Sequence, residues 1–234
     1  MIPGLFSGPT SGNERHRLYG VYPALVSDVQ DPDAQGRVQI RLPFVEENDG
    51  AGALAWARLS TLMAGGDRGT WFIPEVGDEV LVAFTAGDPR RPVVIGALWN
   101  GVDAPPETMD SHNNVRSITS RAGHKLTFDD SAGAEKVVLE TQGGHTLTLD
   151  DAAGGTVTLQ HSNGAKITID VVGNVEITAN VKVKIQAPAG LDITAAMVTV
   201  DAAMSKFSGV VKADAVITNS VVSASYTPGA GNIW

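Results

Sequence analysis

GHKLTFDD (123–130) recurs as GHTLTLDD (144–151) and, more weakly, as GAKITID (164–170), at spacings of 21 and 20 residues. A repeat at a fixed period marks a stacked architecture, in which one short unit cannot bury its own apolar face and relies on its neighbours. Inside each period lies a second run, VVLET (137–141) and then VTLQH (157–161), so the unit is one short strand plus a turn. The first apolar residues of the successive strands are Leu126, Val137, Leu147, Val157, Ile167, Val175, Val183, Leu191 and Val198, and the steps between them fall from 11 residues to 7. Turns rich in Gly, Asp and Asn separate the early strands, whereas the later ones nearly abut. Fewer residues per step predicts a rod that tapers.

A strand with only two inward side chains, such as Leu147 and Leu149, cannot build a core alone, because a thin ribbon leaves one face and one edge in water. Three identical chains interleaved about one axis supply the missing neighbours, with strand edges pairing between chains. About twelve such strands at roughly 4.8 Å spacing predict a needle on the order of 60 Å long.

Upstream, residues 19–101 read as a compact β unit. Short apolar runs alternate with Gly, Pro and Asp turn signals at intervals too brief for helices. In RVQIRLPF (37–44), Val38, Ile40 and Leu42 alternate with Arg37, Gln39 and Arg41, the pattern of a half-buried strand. With YGVYPALVSDV (19–29), WARLSTLM (56–63), WFIPEVG (71–77), DEVLVAFTAG (78–87) and PVVIGALWNG (92–101), this gives five to six strands and predicts a small barrel. Residues 102–115 are polar, proline-bearing and aperiodic, and read as a linker. The predicted organisation is a docking segment at 1–18, the barrel at 19–101, the linker at 102–115, and a tapering β-helix with its tip at 116–234.

The 234-residue chain is 43% hydrophobic and 18% charged, as expected of a folded protein. It has no cysteine, which excludes disulfides, thiolate metal sites and cysteine nucleophiles. The net charge is −9, and residues 1–112 hold 15 acidic against 8 basic side chains, a balance that disfavours nucleic acid as a partner. There is no apolar run of membrane-spanning length and no signal-peptide pattern at the N-terminus, so assembly in the cytoplasm is expected.

The chain shows no G-x-S-x-G, phosphate-cradling or H-E-x-x-H motif, and no carboxylate pair stands out from the repeat, so the reading is of a protein that is not an enzyme and carries no cofactor. His124 and His145 occupy one place in two repeats, as do the pairs Asp129–Asp130 and Asp150–Asp151, and a metal or acid-base role has to be weighed. Turn chemistry explains them better, with the histidines flanking strand starts beside glycine and the aspartates suiting Asx turns. No metal site is therefore expected. Trp56, Trp71 and Trp99 sit in apolar runs and read as core or barrel-edge packing. Trp234 closes the chain after GAGN, with Tyr226, Pro228 and Ile233 before it. So exposed an apolar group needs cover, either by folding back or from a partner.

GRVQIRLPF (36–44), WARL (56–59) and GTWFIPEVGDEVLVAFTAGDPRRPVVIGALWNG (69–101) together resemble the OB-fold domain of central spikes in contractile phage tails and type VI secretion, the baseplate assembly protein V and valine-glycine repeat protein G families. RSITSRAGHKLTFDD (116–130) is similar to the entry into their β-helix, and SYTPGAGNIW (225–234) to the ends of spikes in related injection particles. The resemblance implies an all-β homotrimer, an OB-fold barrel followed by an intertwined triple-stranded β-helix, in the baseplate of a phage tail or other contractile injection particle. It implies transient contact with a target membrane, and a separate hub protein at the barrel end, since the stretch before Leu18 is short for a hub. No histidine lies beyond His161 to bind metal at the tip, so it also implies a separate conical cap of the proline-alanine-alanine-arginine (PAAR) repeat type, with Tyr226, Pro228, Ile233 and Trp234 as its contact residues. A carbohydrate-binding, tailspike-like trimer is the alternative. The few aromatics after residue 114, Phe128, Phe207, Tyr226 and Trp234, weigh against it.

Overall fold

The computed structural model describes residues 17–45 and 52–224. Residues 1–16 of the expected docking segment lie outside the described residues, as do Tyr226, Pro228, Ile233 and Trp234. The described chain is all-β and divides into two compact units, one ending at Lys182 and one starting at Val183.

In the first unit, β1 (Val21–Asp28), β2 (Val38–Leu42), β3 (Ala53–Leu59), β6 (Glu79–Phe84) and β7 (Pro92–Leu98) close into a barrel in the order β1-β2-β3-β7-β6. All its pairings are antiparallel except β3 with β7, which meet only through Arg58–Val93 and Leu59–Val94. The alternation read from the sequence sets the core. Ala24, Val26, Val38, Ile40, Leu42, Ala57, Val80, Val82, Phe84 and Val94 point inward and are buried, while the intervening residues are more exposed. Between β3 and β6 runs a connection carrying a small ribbon, β4 (Ala64–Gly65) with β5 (Arg68–Gly69). WFIPEVG (71–77) forms no strand, contrary to the sequence reading, and Trp71 and Trp99 are 75% and 70% exposed rather than packed in strands. Alternation cannot be satisfied there, because Trp71, Phe72 and Ile73 are consecutive and only Ile73 reaches the core.

The motifs that looked family-specific clamp turns. Asp31 accepts hydrogen bonds from the backbone N–H groups of Asp33, Gln35 and Arg37 and a fork from the Arg37 guanidinium, whose Nη2 lies 2.6 Å from Asp31 Oδ1. Arg37 also reaches Asp33 and lies 5.7 Å from the Trp56 ring. In GDPRRP (87–92), Asp88 accepts from the backbone and the guanidinium of Arg90.

From β8 (Val115–Thr119) the chain runs through β9 (Lys125–Asp129), β10 (Lys136–Glu140), β11 (Thr146–Asp150), β12 (Thr156–Gln160), β13 (Lys166–Ile169) and β14 (Val175–Thr178). Each strand pairs antiparallel with the next, making one seven-stranded meander. The expectation that strand edges pair between chains fails over this stretch, for a local reason. The turns SRAG, TQGG and HSNG place Gly123, Gly144 and Gly164 at φ of +82°, +79° and +92°, a conformation glycine adopts without strain. Each chain therefore folds straight back onto its own preceding strand. Opposite charges face each other on one side of the sheet, Lys125 opposite Glu140 and Lys136 between Asp129 and Asp150, and the Lys136–Asp129 ion pair at 3.6 Å helps to hold the register.

In the second unit no strand forms within the chain among the described residues, although Val183, Leu191 and Val198 continue the sequence pattern.

The Asp31 and Asp88 carboxyls are held well below their ordinary value, by the guanidinium of Arg37 in the first case and of Arg90 in the second, which brings Asp88 down to about 2 from 3.8. A depressed carboxylate contributes stability that is complete above its unfolded-state value and is lost as pH falls through its folded-state value. The melting temperature of the barrel is therefore expected to fall as pH drops from about 4 towards 2. Asp31→Asn should lower it at neutral pH and flatten that dependence. A melting temperature in Asp31→Asn equal to wild type at pH 7 would contradict the clamp.

Candidate assembly interface

Register converts the repeat into a surface. Across the meander, Ile118, Leu126, Leu139, Leu147, Leu159, Ile167 and Ile177 are successive cross-strand partners and form one unbroken apolar ladder. Beside it runs a second, Phe128, Val137, Leu149, Val157, Ile169 and Val175, with Arg116 as the partner of Phe128 at its head. Side chains alternate across a strand, so both ladders share one face. The opposite face carries Ser117, Thr127, Thr148, Thr158, Thr168 and Glu176 down its middle row, interrupted only by Val138.

Within its own unit the apolar face stays half-open. Leu149 is 44% exposed, Leu159 53% and Ile177 56%. Soluble proteins seldom leave a continuous patch of this kind open, and burying each such side chain contributes about 1.5–3 kcal/mol. The second unit shows the same deficit more strongly. Every Val, Ile, Leu, Met and Phe from Val183 to Val222 is at least half exposed, the lowest being Val183 at 52%.

The two histidines that invited a catalytic or metal reading are turn groups, and so is the first aspartate of each pair. Along one rim of the sheet, His124 Nδ1 accepts the Gln142 N–H and His145 Nδ1 accepts the Ser162 N–H, each 3.2 Å away, which ties one hairpin turn to the next. His161 Nδ1 accepts the N–H of Asn163, and its ring lies 4.2 Å from that of His145. On the other rim Asp129, Asp150 and Asp170 accept the N–H two residues ahead, the Asx-turn geometry. Asp130 instead pairs with Arg116. No group of three or more His, Asp or Glu among the described residues is arranged to hold a metal ion, and no helix among them is long and apolar enough to cross a membrane. Where the linker meets the sheet, Glu107 pairs with Lys125 at 2.6 Å, which with a Ser117 hydrogen bond holds its carboxyl below the ordinary value. Arg121 reaches back to Glu75 of the barrel at 3.0 Å.

A rung missing from the sequence reading of the strands is β8, which brings Arg116 and Ile118 onto the apolar face. Its signal was present in VRSIT followed by SRAG, the same strand-and-turn grammar as the later repeats.

Comparison with known proteins meets this geometry at both halves. Residues 22–99 match the type VI secretion system/phage-baseplate injector OB domain. Residues 136–206, which contain most of the apolar ladders and the start of the unpaired segment, match the phage baseplate V C-terminal trimerisation domain. The chain belongs to the VgrG-like, phage-baseplate V family of spike proteins. Among its relatives, the actin cross-linking toxin VgrG1 of Vibrio cholerae is 34% identical over 116 residues. The type VI secretion system spike protein VgrG3 of the same species is 30% identical over 116 residues, and VgrG1a of Pseudomonas aeruginosa is 27% identical over 119. Each match takes in 47% of this chain and only 11–18% of the relative. The half-open ladders thus lie in a segment that matches a trimerisation domain.

The two faces of the VgrG-like sheet are thus expected to respond oppositely to charge. Leu149→Asp sets a carboxylate in the apolar ladder and should destabilise the assembly by on the order of 3 kcal/mol per chain. Thr148→Asp, one residue away on the polar face, should leave it nearly unchanged. Sedimentation velocity distinguishes them, and equal behaviour of the two variants would contradict the assignment of faces.

Proposed function

We propose that the protein is the homotrimeric central spike of a contractile injection machine, pushed through a target membrane when the surrounding sheath contracts. The observation that carries this reading is the pair of apolar ladders, left half-exposed on one face of a sheet whose sequence matches a trimerisation domain. Three such sheets around one axis bury all three apolar faces in a triangular prism and turn the threonine faces outward. The segment 183–224 then supplies the intertwined part, where strands of one chain pair with those of its two partners and the apolar residues alternate into the axis. A rod of this kind resists buckling, because unfolding one chain requires breaking backbone hydrogen bonds to the other two. Residues 116–234 together form the needle and its tip.

The barrel, residues 19–101, acts as an adaptor to a separate hub protein, with residues 1–18 as the docking segment and 102–115 as the link between barrel and needle. The tip carries a PAAR-type conical cap that contacts Tyr226, Pro228, Ile233 and Trp234. The role is mechanical, with no catalytic step, and the particle is a phage tail, a type VI apparatus or an extracellular injection device.

Cap binding is the most accessible part to test. The full chain, immobilised, is expected to retain a PAAR-type cap protein, and Trp234→Ala should weaken retention about tenfold, the effect of losing one well-buried aromatic anchor. Failure of the intact chain to retain any cap, together with a self-closed tip in an experimental structure, would overturn the capped-spike reading.

A further inference from the structure

The repeat G-H-x-L-T-x-D-D has a second consequence, which concerns the rims of the sheet. A five-residue strand separates its histidine from its aspartates, so successive repeats send imidazoles to one rim and carboxylates to the other. His124, His145 and His161 lie at the turns joining β8 to β9, β10 to β11 and β12 to β13. Asp130, Glu135 and Asp151 lie at the turns joining β9 to β10 and β11 to β12, on the opposite rim. By the alternation of each strand, all six fall on the same side of the sheet as the apolar ladders.

The hydrogen bonding leaves complementary groups over. All three histidines spend Nδ1 as an acceptor of a backbone N–H, so the neutral ring carries its proton on Nε2 as a donor. The Glu135 and Asp151 carboxylates have no hydrogen-bond or ion-pair partner among the described residues, whereas Asp130 is held by Arg116. Glu135 and Asp151 are neighbours, joined by the Asp151 N–H donating to the Glu135 carbonyl at 2.9 Å. The His145–His161 ring pair on the far rim is a matching cluster of two donors.

We infer that the rims form the seam between protomers, with the His145–His161 edge of each sheet hydrogen-bonded to the Glu135–Asp151 edge of the next copy of this chain. This rests on the trimer reading above and adds the contact that closes it. Three identical sheets placed around a three-fold axis with their apolar faces inward must meet left rim to right rim, since a cyclic arrangement is heterologous. Rotation about the axis involves no translation along it, so β11 of one sheet meets β11 of the next, bringing His145 to Asp151. Tilt of the strands by one rung brings His145 to Glu135. The ladders supply most of the burial energy without direction, and the seam supplies the direction. It distinguishes the correct handed closure from a back-to-front pairing, in which like rims would bring carboxylate against carboxylate.

The absence of cysteine from the 234-residue chain permits a clean test. His145→Cys is combined with Asp151→Cys in one full-length variant and with Glu135→Cys in a second. Molar mass is measured under reducing conditions by light scattering, and the samples are then oxidised and run on a denaturing, non-reducing gel. Within one chain residues 145 and 151 flank the whole of β11, about 20 Å apart, and a disulfide needs Cα atoms within about 7 Å. A bridge within one chain is therefore excluded, and at low protein concentration a band ladder that stops at the trimer reports bonds across the seams, whereas bonds between assemblies would extend it beyond three chains. The expected result is trimeric mass with cross-linked bands in at least one of the two variants, and none in a variant carrying Thr148→Cys on the polar face. Trimeric mass with no cross-linked bands in either pairing overturns the seam while leaving the trimer intact. A wild-type chain that proves monomeric overturns the trimer and the seam with it. As a second readout that leaves side-chain shape nearly unchanged, Glu135→Gln with Asp151→Asn should lower the denaturation midpoint of the assembled protein by a few degrees. An unchanged midpoint together with absent cross-links sinks the proposal.

Discussion

The structure depends on an apolar face that stays half-open in the unit that forms it. Each strand of the meander contributes two side chains to that face, and backbone pairing with the neighbouring rungs is already complete, so the chain has satisfied its hydrogen bonds and left its hydrophobic requirement open. This separation of the two demands is unusual. In the barrel they are met together, by curling five strands until β1 finds β6 and the inward side chains find each other. In the sheet, β8 and β14 do not meet, so the meander stays open and its apolar face needs a second layer.

From β8 to the end of the described chain, the two demands shift relative to each other. Up to β14 the backbone is paired internally and only side chains lack partners. From Val183 on, strand pairing within the chain stops as well, while the apolar residues stay exposed. The cause is legible in the turns. SRAG, TQGG and HSNG give each rung a tight, hydrogen-bonded reversal with a glycine in the left-handed region, whereas QAPAG (186–190), between Val183 and Leu191, forms no such hydrogen-bonded turn. Without such a reversal a strand does not return to its own predecessor, which suits the proposed pairing with neighbouring chains there.

Much of this was visible in the sequence, because period-2 alternation and glycine-bearing turns are local signals. Val38, Ile40 and Leu42 announced a buried strand face, and Leu126, Val137, Leu147, Val157 and Ile167 marked the rungs. The run WFIPEVG misled because apolar content without alternation does not define a strand, and Trp71 proved exposed. Which chain a strand pairs with was not legible at all for β9 to β13, since the same strand pattern serves pairing within or between chains and the turn geometry decides. His124, His145, Asp129 and Asp150 are the turn groups that the repeat suggests, whereas Asp130 pairs with Arg116 and the Asp151 carboxylate takes no turn bond; their sorting onto opposite rims needs the register, because a rim is a property of the folded sheet and not of any one repeat.

The most direct test of the account is the molar mass of the intact chain by light scattering on a size-exclusion column at low micromolar concentration. Three chains of 24.4 kDa predict about 73 kDa. A stable, well-folded species of 24.4 kDa would mean that the apolar ladders persist uncovered in water, and would contradict the central claim.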